Sequence, residues 1–429
     1  MSFSSSDFFR LFFKELERLD IPYVVLHSYD RFPEAISSDV DYSVLTDDLP
    51  KLAGIQCTLA ESHGWRLAHG IESHIYAYYS VVIDAKDPRS FLQLDACSHY
   101  VEGSSFFLKD AALLNDRRRY RDFYVPAPAV EFAYLLAKTF GKDQPLAPRL
   151  AHLRNLWERD PAKTEEQFCN LCGTAQGTLA EWFARPFAEW ETLRPVALRR
   201  NRFDCRSRAR ESLRALKRVC KPGGLHLVLL GSDGSGKSTS LELIGPLLER
   251  PLFRRQLVFH FRPKVFEADK NIAPVTNPHG KQPRSSGFGF AKLIYYFADH
   301  FAGYFSRVFP AKVRNELIIF CRGFDDLLID PRRYRLRSTG WLARLLAGFL
   351  PRADLTFVLD GEPEQLHARK PELSLEELQR QRMALKRLVA NRPGYVLVSG
   401  AQQPGEVARA VCCEVTRFLA EREKRRCGK

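Results

Sequence analysis

The chain of 429 residues contains no run of eighteen uncharged apolar residues, the length that a membrane-spanning helix needs. Its most apolar stretches, Phe288–Phe305 and Trp341–Leu350, are interrupted by charged residues such as Asp299 and Arg344. The first seven residues lack the cationic segment that begins a secretory signal, so none is predicted. Ten cysteines are scattered without the spacing of a disulfide framework. These absences predict a cytoplasmic protein without a transmembrane segment.

The length predicts two or three domains, and a hydrophobic share of 45% is that of a globular protein. The net charge of +14 is concentrated between Arg194 and Lys221. This segment contains eleven Lys or Arg residues and only two acidic residues, Asp204 and Glu211. We favour a solvated basic helix between domains for this segment. Nucleic acid or an anionic membrane surface is the alternative partner of such a segment.

The most informative stretch is an apolar, strand-like run, Leu225–Leu230, followed by a glycine-rich turn and the helical pattern Ser240–Ile244. The turn fits G-x-x-x-x-G-K-[ST] and consists of Gly231, Ser232, Asp233, Gly234, Ser235, Gly236, Lys237, Ser238 and Thr239. Such a turn brings backbone N–H groups and a helix N-terminus to one point, which suits phosphate. We expect all nine residues to bind a nucleotide, with Lys237 at its terminal phosphates and Ser238 ligating Mg²⁺.

After Lys221 the pattern alternates between strands and helices, which predicts an α/β domain with a doubly wound parallel sheet. The predicted strands are Leu225–Leu230, Leu257–Phe261, Glu316–Phe320, Leu355–Leu359 and Tyr395–Val398. Arginine-bearing turns follow the later strands and contain Arg262, Arg322, Arg333 and Arg369. Positioned cations stabilise a transferring phosphoryl group, so these turns favour phosphoryl transfer.

The N-terminal region contains carboxylates in two predicted strands. Asp39 and Asp41 alternate with Val40 in Ser38–Leu45, so both carboxylates point to one face. Asp95 lies in the strand Phe91–Ala96. Three such carboxylates suit Mg²⁺ and a triphosphate, while exposed aspartates without a metal are the alternative.

From Pro126 to about Trp190 the pattern is helical. The lone C-x-x-C of Cys169 and Cys172 has no second pair at zinc-finger spacing, so a helical core position is expected for both cysteines.

The motif G-S-D-G-S-G-K-S-T resembles the P-loop of thymidylate kinase-like kinases, and the resemblance covers about residues 222–425. It is closest to bacterial two-domain proteins associated with polysaccharide genes, whose third-strand motif D-R-x-x-x-D precedes D-P-x-R-Y-R. Arg322 and Asp326 match the first motif, and Cys321 replaces its first aspartate. The second motif is matched by Asp330, Pro331, Arg333, Tyr334 and Arg335.

This resemblance implies ATP and Mg²⁺ as cofactors and a role for each motif. Lys237, Arg322, Asp326 and Arg369 would be catalytic, with Arg369 in the lid. Asp233, Arg333 and Tyr334 would contact the acceptor. We also expect Arg262 and His279 to contact it, because the sequence places Arg262 at a strand end and His279 in the loop that follows.

Residues 5–125 resemble the minimal nucleotidyltransferase fold, whose signature is a small-residue turn, then D-x-D, then a third acid. Ser28 matches the turn, Asp39 and Asp41 the pair, and Asp95 the third acid; His27 stands where that fold has glycine. We therefore expect an α+β nucleotidyltransferase-like domain at 1–125, a helical extension at 126–193, a basic linker helix at 194–221 and a P-loop kinase domain at 222–425.

The expected function is ATP- and Mg²⁺-dependent phosphoryl transfer to a nucleotide, a sugar phosphate or a glycan precursor. His27 and Cys321 motivate a first alternative, a nucleotide-binding regulatory or scaffold protein with degenerate catalysis. The basic segment motivates a second, an ATPase associated with nucleic acid.

Overall fold

The computed structural model describes residues 3–102, 105–174, 177–200, 205–266, 286–336 and 339–428. The chain forms two compact units. The first comprises Met1–Ala85, Arg89–Lys217 and Leu419–Lys429, and the second comprises Lys86–Pro88 and Arg218–Phe418. Among the described helices, none combines the length and the apolar character needed to cross a bilayer. The domain limits suggested by the sequence stay a prediction.

The first unit contains a mixed five-stranded sheet, two short hairpins and a set of helices. Its strands are β1 (Tyr23–Val25), β2 (Val40–Val44), β3 (Trp65–His74), β4 (Ala77–Asp84), β5 (Phe91–Cys97), β6 (Tyr100–Glu102), β7 (Ser105–Leu108), β8 (Arg118–Tyr120) and β9 (Phe123–Val125). Its helices are α1 (Ser5–Arg18), α2 (Leu52–Ser62), α3 (Asp110–Leu114), α4 (Pro128–Gly141), α5 (Leu150–Arg159), α6 (Pro161–Cys172), α7 (Leu179–Ala184), α8 (Leu193–Arg200) and α9 (Cys205–Cys220). The sheet order is β1-β2-β5-β4-β3, in which only β2 and β5 run parallel.

Helix α1 covers this sheet with a phenylalanine-rich face. Phe8, Phe9, Phe12 and Phe13 recur at helical spacing and are all buried. Ser4 is the N-cap of α1 and forms a capping box with Asp7. Burying each such ring contributes about 1.5–3 kcal/mol, which fixes the helix against the strands.

A second core of the first unit lies around α4, which is buried along almost its whole length. Leu193 and Ala197 of α8 belong to this core. The start of the predicted basic linker is therefore packed, and no residue of α9 is buried. Residues 201–204, between these two helices, lie outside the described residues.

The second unit contains a five-stranded parallel sheet. Its strands are β10 (Leu225–Leu230), β11 (Gln256–Phe259), β12 (Leu317–Phe320), β13 (Leu355–Asp360) and β14 (Tyr395–Ser399). Its helices are α10 (Lys237–Leu252), α11 (Ser286–Gly303), α12 (Phe309–Val313), α13 (Asp326–Ile329), α14 (Gly340–Ala347), α15 (Pro363–Arg369), α16 (Leu375–Asn391) and α17 (Pro404–Arg426), whose last residues belong to the first unit. The order β11-β12-β10-β13-β14 confirms the predicted parallel sheet.

Strand β10 lies at the centre of this sheet and is buried at every residue. Its apolar sequence is what a strand covered on both faces requires. Because all five strands are parallel, the loops after β10 and β12 leave the sheet at the same edge. That edge brings the glycine-rich turn and the Cys321–Arg322 turn together.

Candidate functional site

The glycine-rich turn connects β10 to α10 and forms a cradle at the helix N-terminus. Gly234 and Gly236 both have φ of +84°, a conformation that favours glycine. A Cβ atom added to Gly236 would meet no described atom within 4 Å, so a ligand can approach the backbone there. Ser238 and Thr239 are exposed in the first turn of α10, and Ser235 Oγ is buried without a hydrogen-bond partner among the described residues. This arrangement suits an anion with several oxygen atoms.

Lys237 is buried in the cradle. Its Nζ donates to the carbonyl oxygens of Gly231, at 2.6 Å, and of Ser232, at 2.9 Å. An ammonium group has three N–H donors, so one is left for a phosphate oxygen. Burial and the nearby Arg322 lower the pKa of Lys237 to about 8, while Asp233 opposes this shift.

Asp233 joins the cradle to two arginines from later in the chain. Arg322 Nη2 donates to Asp233 Oδ1 at 2.7 Å, and Arg333 Nη1 donates to Asp233 Oδ2 at 2.6 Å. Burial disfavours the ionised carboxyl group, but Lys237, Arg333 and Arg322 outweigh it and hold the pKa of Asp233 at about 2. Asp233 is therefore a carboxylate at physiological pH and fixes both guanidinium groups beside the cradle.

Asp326 and Tyr334 complete this cluster. Tyr334 donates its hydroxyl to Asp326 Oδ2 at 2.6 Å, and Arg322 Nε lies 3.4 Å from the same oxygen. Burial raises the pKa of Asp326, although the positive charge of Arg322 opposes this shift. Asp330 accepts the backbone N–H of Arg333 at 3.1 Å, which holds the turn that carries Arg333 and Tyr334.

The other predicted site residues of this unit are placed differently. Arg262 contacts Tyr295 and Asp299 and does not join the Asp233 cluster. Arg369 is exposed and donates to the carbonyl oxygen of Gly400 at 3.2 Å. His279 lies outside the described residues. Cys321 is buried, and burial raises the pKa of its thiol although Lys237 and Arg322 oppose this.

The first unit brings together the three predicted carboxylates. Asp41 on β2 is directly opposite Asp95 on β5, and Asp39 precedes β2. One oxygen from each of these residues lies within 4.8 Å of the others. Three hard oxygen donors at this separation fit a divalent cation such as Mg²⁺.

Lys138 of α4 lies in this carboxylate group, and the sequence analysis did not assign it to the site. Its Nζ donates to Asp41 Oδ2 at 2.8 Å and lies 2.5 Å from His27 Nε2. His27 Nε2 also contacts Asp41 Oδ2. Helix α4 is otherwise largely apolar, and Lys138 interrupts this apolar pattern near the end of the helix. A lysine within an apolar segment was therefore the signal in the sequence for an acidic partner.

The pKa values of Asp41 and Asp95 are shifted in opposite directions. Burial opposes the ionisation of Asp41, but His27 and Lys138 lower its pKa to about 2. Burial raises the pKa of Asp95 to about 7, and the carboxylates of Asp41 and Asp39 add to this rise. The ammonium group of Lys138 thus neutralises one carboxylate of a group that fits a metal ion.

No family model matches the chain, and no curated protein matches it. Among solved structures, the thymidylate kinase from Ehrlichia chaffeensis is similar at 17% sequence identity and a TM-score of 0.31. The match covers 44% of this chain and 97% of that kinase.

The affinity of the cradle for inorganic tripolyphosphate is expected to fall as the pH rises through about 8, where Lys237 loses its proton. A lysine with a lowered pKa supplies its positive charge below that pH and loses it above. We expect at least about tenfold weaker binding at about pH 9.5 than at about pH 7, measured by isothermal titration calorimetry. Lys237→Arg stays charged throughout this range, so the fall should be absent. An equal fall in both proteins would contradict this role of Lys237.

The carboxylates of the first unit are expected to bind Mn²⁺, and replacing Lys138 should strengthen that binding. Lys138→Met removes the ammonium group that competes with a metal ion for Asp41. We expect about tenfold tighter binding in this variant than in the wild type, followed by the electron paramagnetic resonance of free Mn²⁺.

Asp39→Asn combined with Asp41→Asn should abolish this binding. The exposed Asp47 is the matched control position, and Asp47→Asn should behave as the wild type. Equal Mn²⁺ binding by all four proteins would exclude a metal site at these aspartates.

Proposed function

We propose that the second unit is an ATP- and Mg²⁺-dependent phosphotransferase of the thymidylate kinase-like class. The observation that carries this proposal is the convergence of Lys237, Arg322 and Arg333 on Asp233 at one end of a parallel sheet. Three cations around a phosphate cradle are what transfer of a phosphoryl group needs, since negative charge spreads over its oxygens.

In the proposed reaction an oxygen of the acceptor attacks the γ-phosphorus of ATP, the bond to the β–γ bridging oxygen breaks, and ADP leaves. The backbone N–H groups of the cradle and the remaining N–H donor of Lys237 bind the phosphates. Arg322, fixed by Asp233 and Asp326, is positioned to stabilise the transferred group. Mg²⁺, with Ser238 as a protein ligand, would neutralise charge on the phosphates.

The acceptor is proposed to be a nucleotide, a sugar phosphate or a glycan precursor. Support comes from Arg333, whose guanidinium group Asp233 holds beside the cradle, where it suits an anionic group on the acceptor. The ring of Tyr334 packs against those of Phe261 and Tyr296, with centroids 4.7 Å and 6.0 Å away, in a buried cluster next to Arg333.

We propose a nucleotidyltransferase-like module for the first unit, supported by the approach of Asp39, Asp41 and Asp95. Lys138 and His27 on Asp41 favour a second candidate, a docking module in which an ammonium group replaces the metal ion. The Mn²⁺ titrations described above distinguish these two candidates, because only the first requires binding by the wild type.

The kinase proposal is tested by incubating the full chain with γ-labelled ATP, Mg²⁺ and pools of nucleotides, sugar phosphates and glycan precursors. Transfer of label to an organic acceptor supports a kinase, and release of inorganic phosphate alone supports an ATPase. Nucleotide binding without either product would favour the regulatory alternative.

Lys237→Met should reduce phosphoryl transfer by at least about a hundredfold, because a charged donor to the phosphates is lost. Methionine keeps the apolar stem of the lysine, which matters because Lys237 is buried and bonded to two loop carbonyls. Lys14→Met on the exposed side of α1 is the matched control and should retain full activity. Near-wild-type transfer by a folded Lys237→Met protein would overturn the assignment of the cradle.

Cys321→Asp should retain or raise Mg²⁺-dependent transfer, because a carboxylate is a hard oxygen ligand and a thiol is not. The nearby Lys237 and Arg322, which oppose the raised pKa of the thiol, would also stabilise a carboxylate there. Cys321→Ser is the control for size and should show no gain. A large loss of activity in Cys321→Asp, with unchanged thermal unfolding, would show that the site depends on cysteine.

A further inference from the structure

A cavity of about 190 Å³ lies within the second unit, apart from the phosphate cradle. It is lined by β10, β12 and β13 on one side and by the segment around α14 on the other, with Arg392 and Tyr395 near the start of β14. No residue from Gly231 to Thr239 lines it, and neither do Arg322 and Arg333. The cavity is therefore separate from the site proposed for phosphoryl transfer.

Two histidines in the cavity wall have nitrogen atoms without hydrogen-bond partners among the described residues. They are Nδ1 of His226, which is only 8% exposed, and Nε2 of His300. Burial lowers the pKa of His226 to about 4, although the carboxylate of Asp354 opposes this shift. Burial lowers the pKa of His300 to about 3, and the positive charge of Arg262 adds to this shift. Both rings are thus neutral at physiological pH. The two imidazole rings therefore add aromatic surface to the cavity wall and no positive charge.

The remaining wall combines aromatic rings with positive charge. Tyr304, Phe320 and Phe324 supply the aromatic surface. Arg344 and Arg352 are exposed, line the cavity and have no ion pair in the described part of the chain.

A third arginine of the wall, Arg392, is paired with Asp325 at 2.6 Å. Three guanidinium groups against this one carboxylate give the lining a positive charge, which attracts an anion.

We propose that this cavity binds a small planar organic anion, with its ring between the aromatic side chains and its carboxylate or phosphate at Arg344 and Arg352. A cavity of about 190 Å³ accommodates a ligand of roughly the size of a substituted benzene, since a water molecule occupies about 30 Å³ in the liquid. This proposal does not depend on the proposed kinase activity.

The test is isothermal titration calorimetry of the full chain with benzoate and with phenyl phosphate, in the presence of excess tripolyphosphate to fill the cradle. We expect saturable binding of at least one of these anions, and weaker binding of the uncharged benzyl alcohol. Arg344→Gln combined with Arg352→Gln should weaken binding of the anion by about tenfold or more. Both positions are exposed, so the variant is expected to fold.

Arg387→Gln is the matched control, because Arg387 is exposed on α16 and does not line the cavity. It should bind the anions as the wild type does. Absence of saturable binding up to about 10 mM would show a cavity that holds only water and would overturn the proposal. Equal affinity of the wild type and the double variant would overturn it as well.

Discussion

The ion pairs of Asp233 with Arg322 and Arg333 are the interaction on which the second unit's site depends. Asp233 lies in the turn after β10, Arg322 follows β12, and Arg333 comes from a later turn. Guanidinium groups are never deprotonated at physiological pH, so a buried cluster of them requires a permanent anion. Asp233 supplies that anion and also offsets the effect of the arginines on Lys237. The cradle, the two arginines and the lysine therefore form one electrostatic group.

The first unit shows a related arrangement with the opposite balance of charge. There the carboxylates of Asp39, Asp41 and Asp95 are close together, and Lys138 is the buried cation that relieves their repulsion. Asp95 retains a raised pKa, so that relief is partial. A cluster with unneutralised acidic groups favours binding of a further cation, whereas the cluster of the second unit favours anions. This difference supports separate ligands for the two units.

Much of this organisation was predictable from local sequence. The glycine-rich turn between an apolar strand and a helix identified the cradle, because only glycine readily adopts the angles of Gly234 and Gly236. The alternating pattern predicted the parallel sheet, and the spacing of Asp39 and Asp41 placed two carboxylates on one strand face. By contrast, Lys138 lies in a segment for which the local pattern predicted only helix, because its partner Asp41 is far away in the chain. Four arginine turns looked equivalent, but only two reach Asp233.

The sequence by itself determined the type of each local element and the chemical groups available at the strand ends, because backbone preferences and apolar periodicity act over a few residues. Tertiary structure alone decided which groups meet. It buried Lys237 against the carbonyls of Gly231 and Ser232, directed Arg262 to Asp299, and placed the rings of His226 and His300 in the wall of one cavity. These outcomes depend on contacts between distant segments, whose energies are set by burial and charge and not by local pattern.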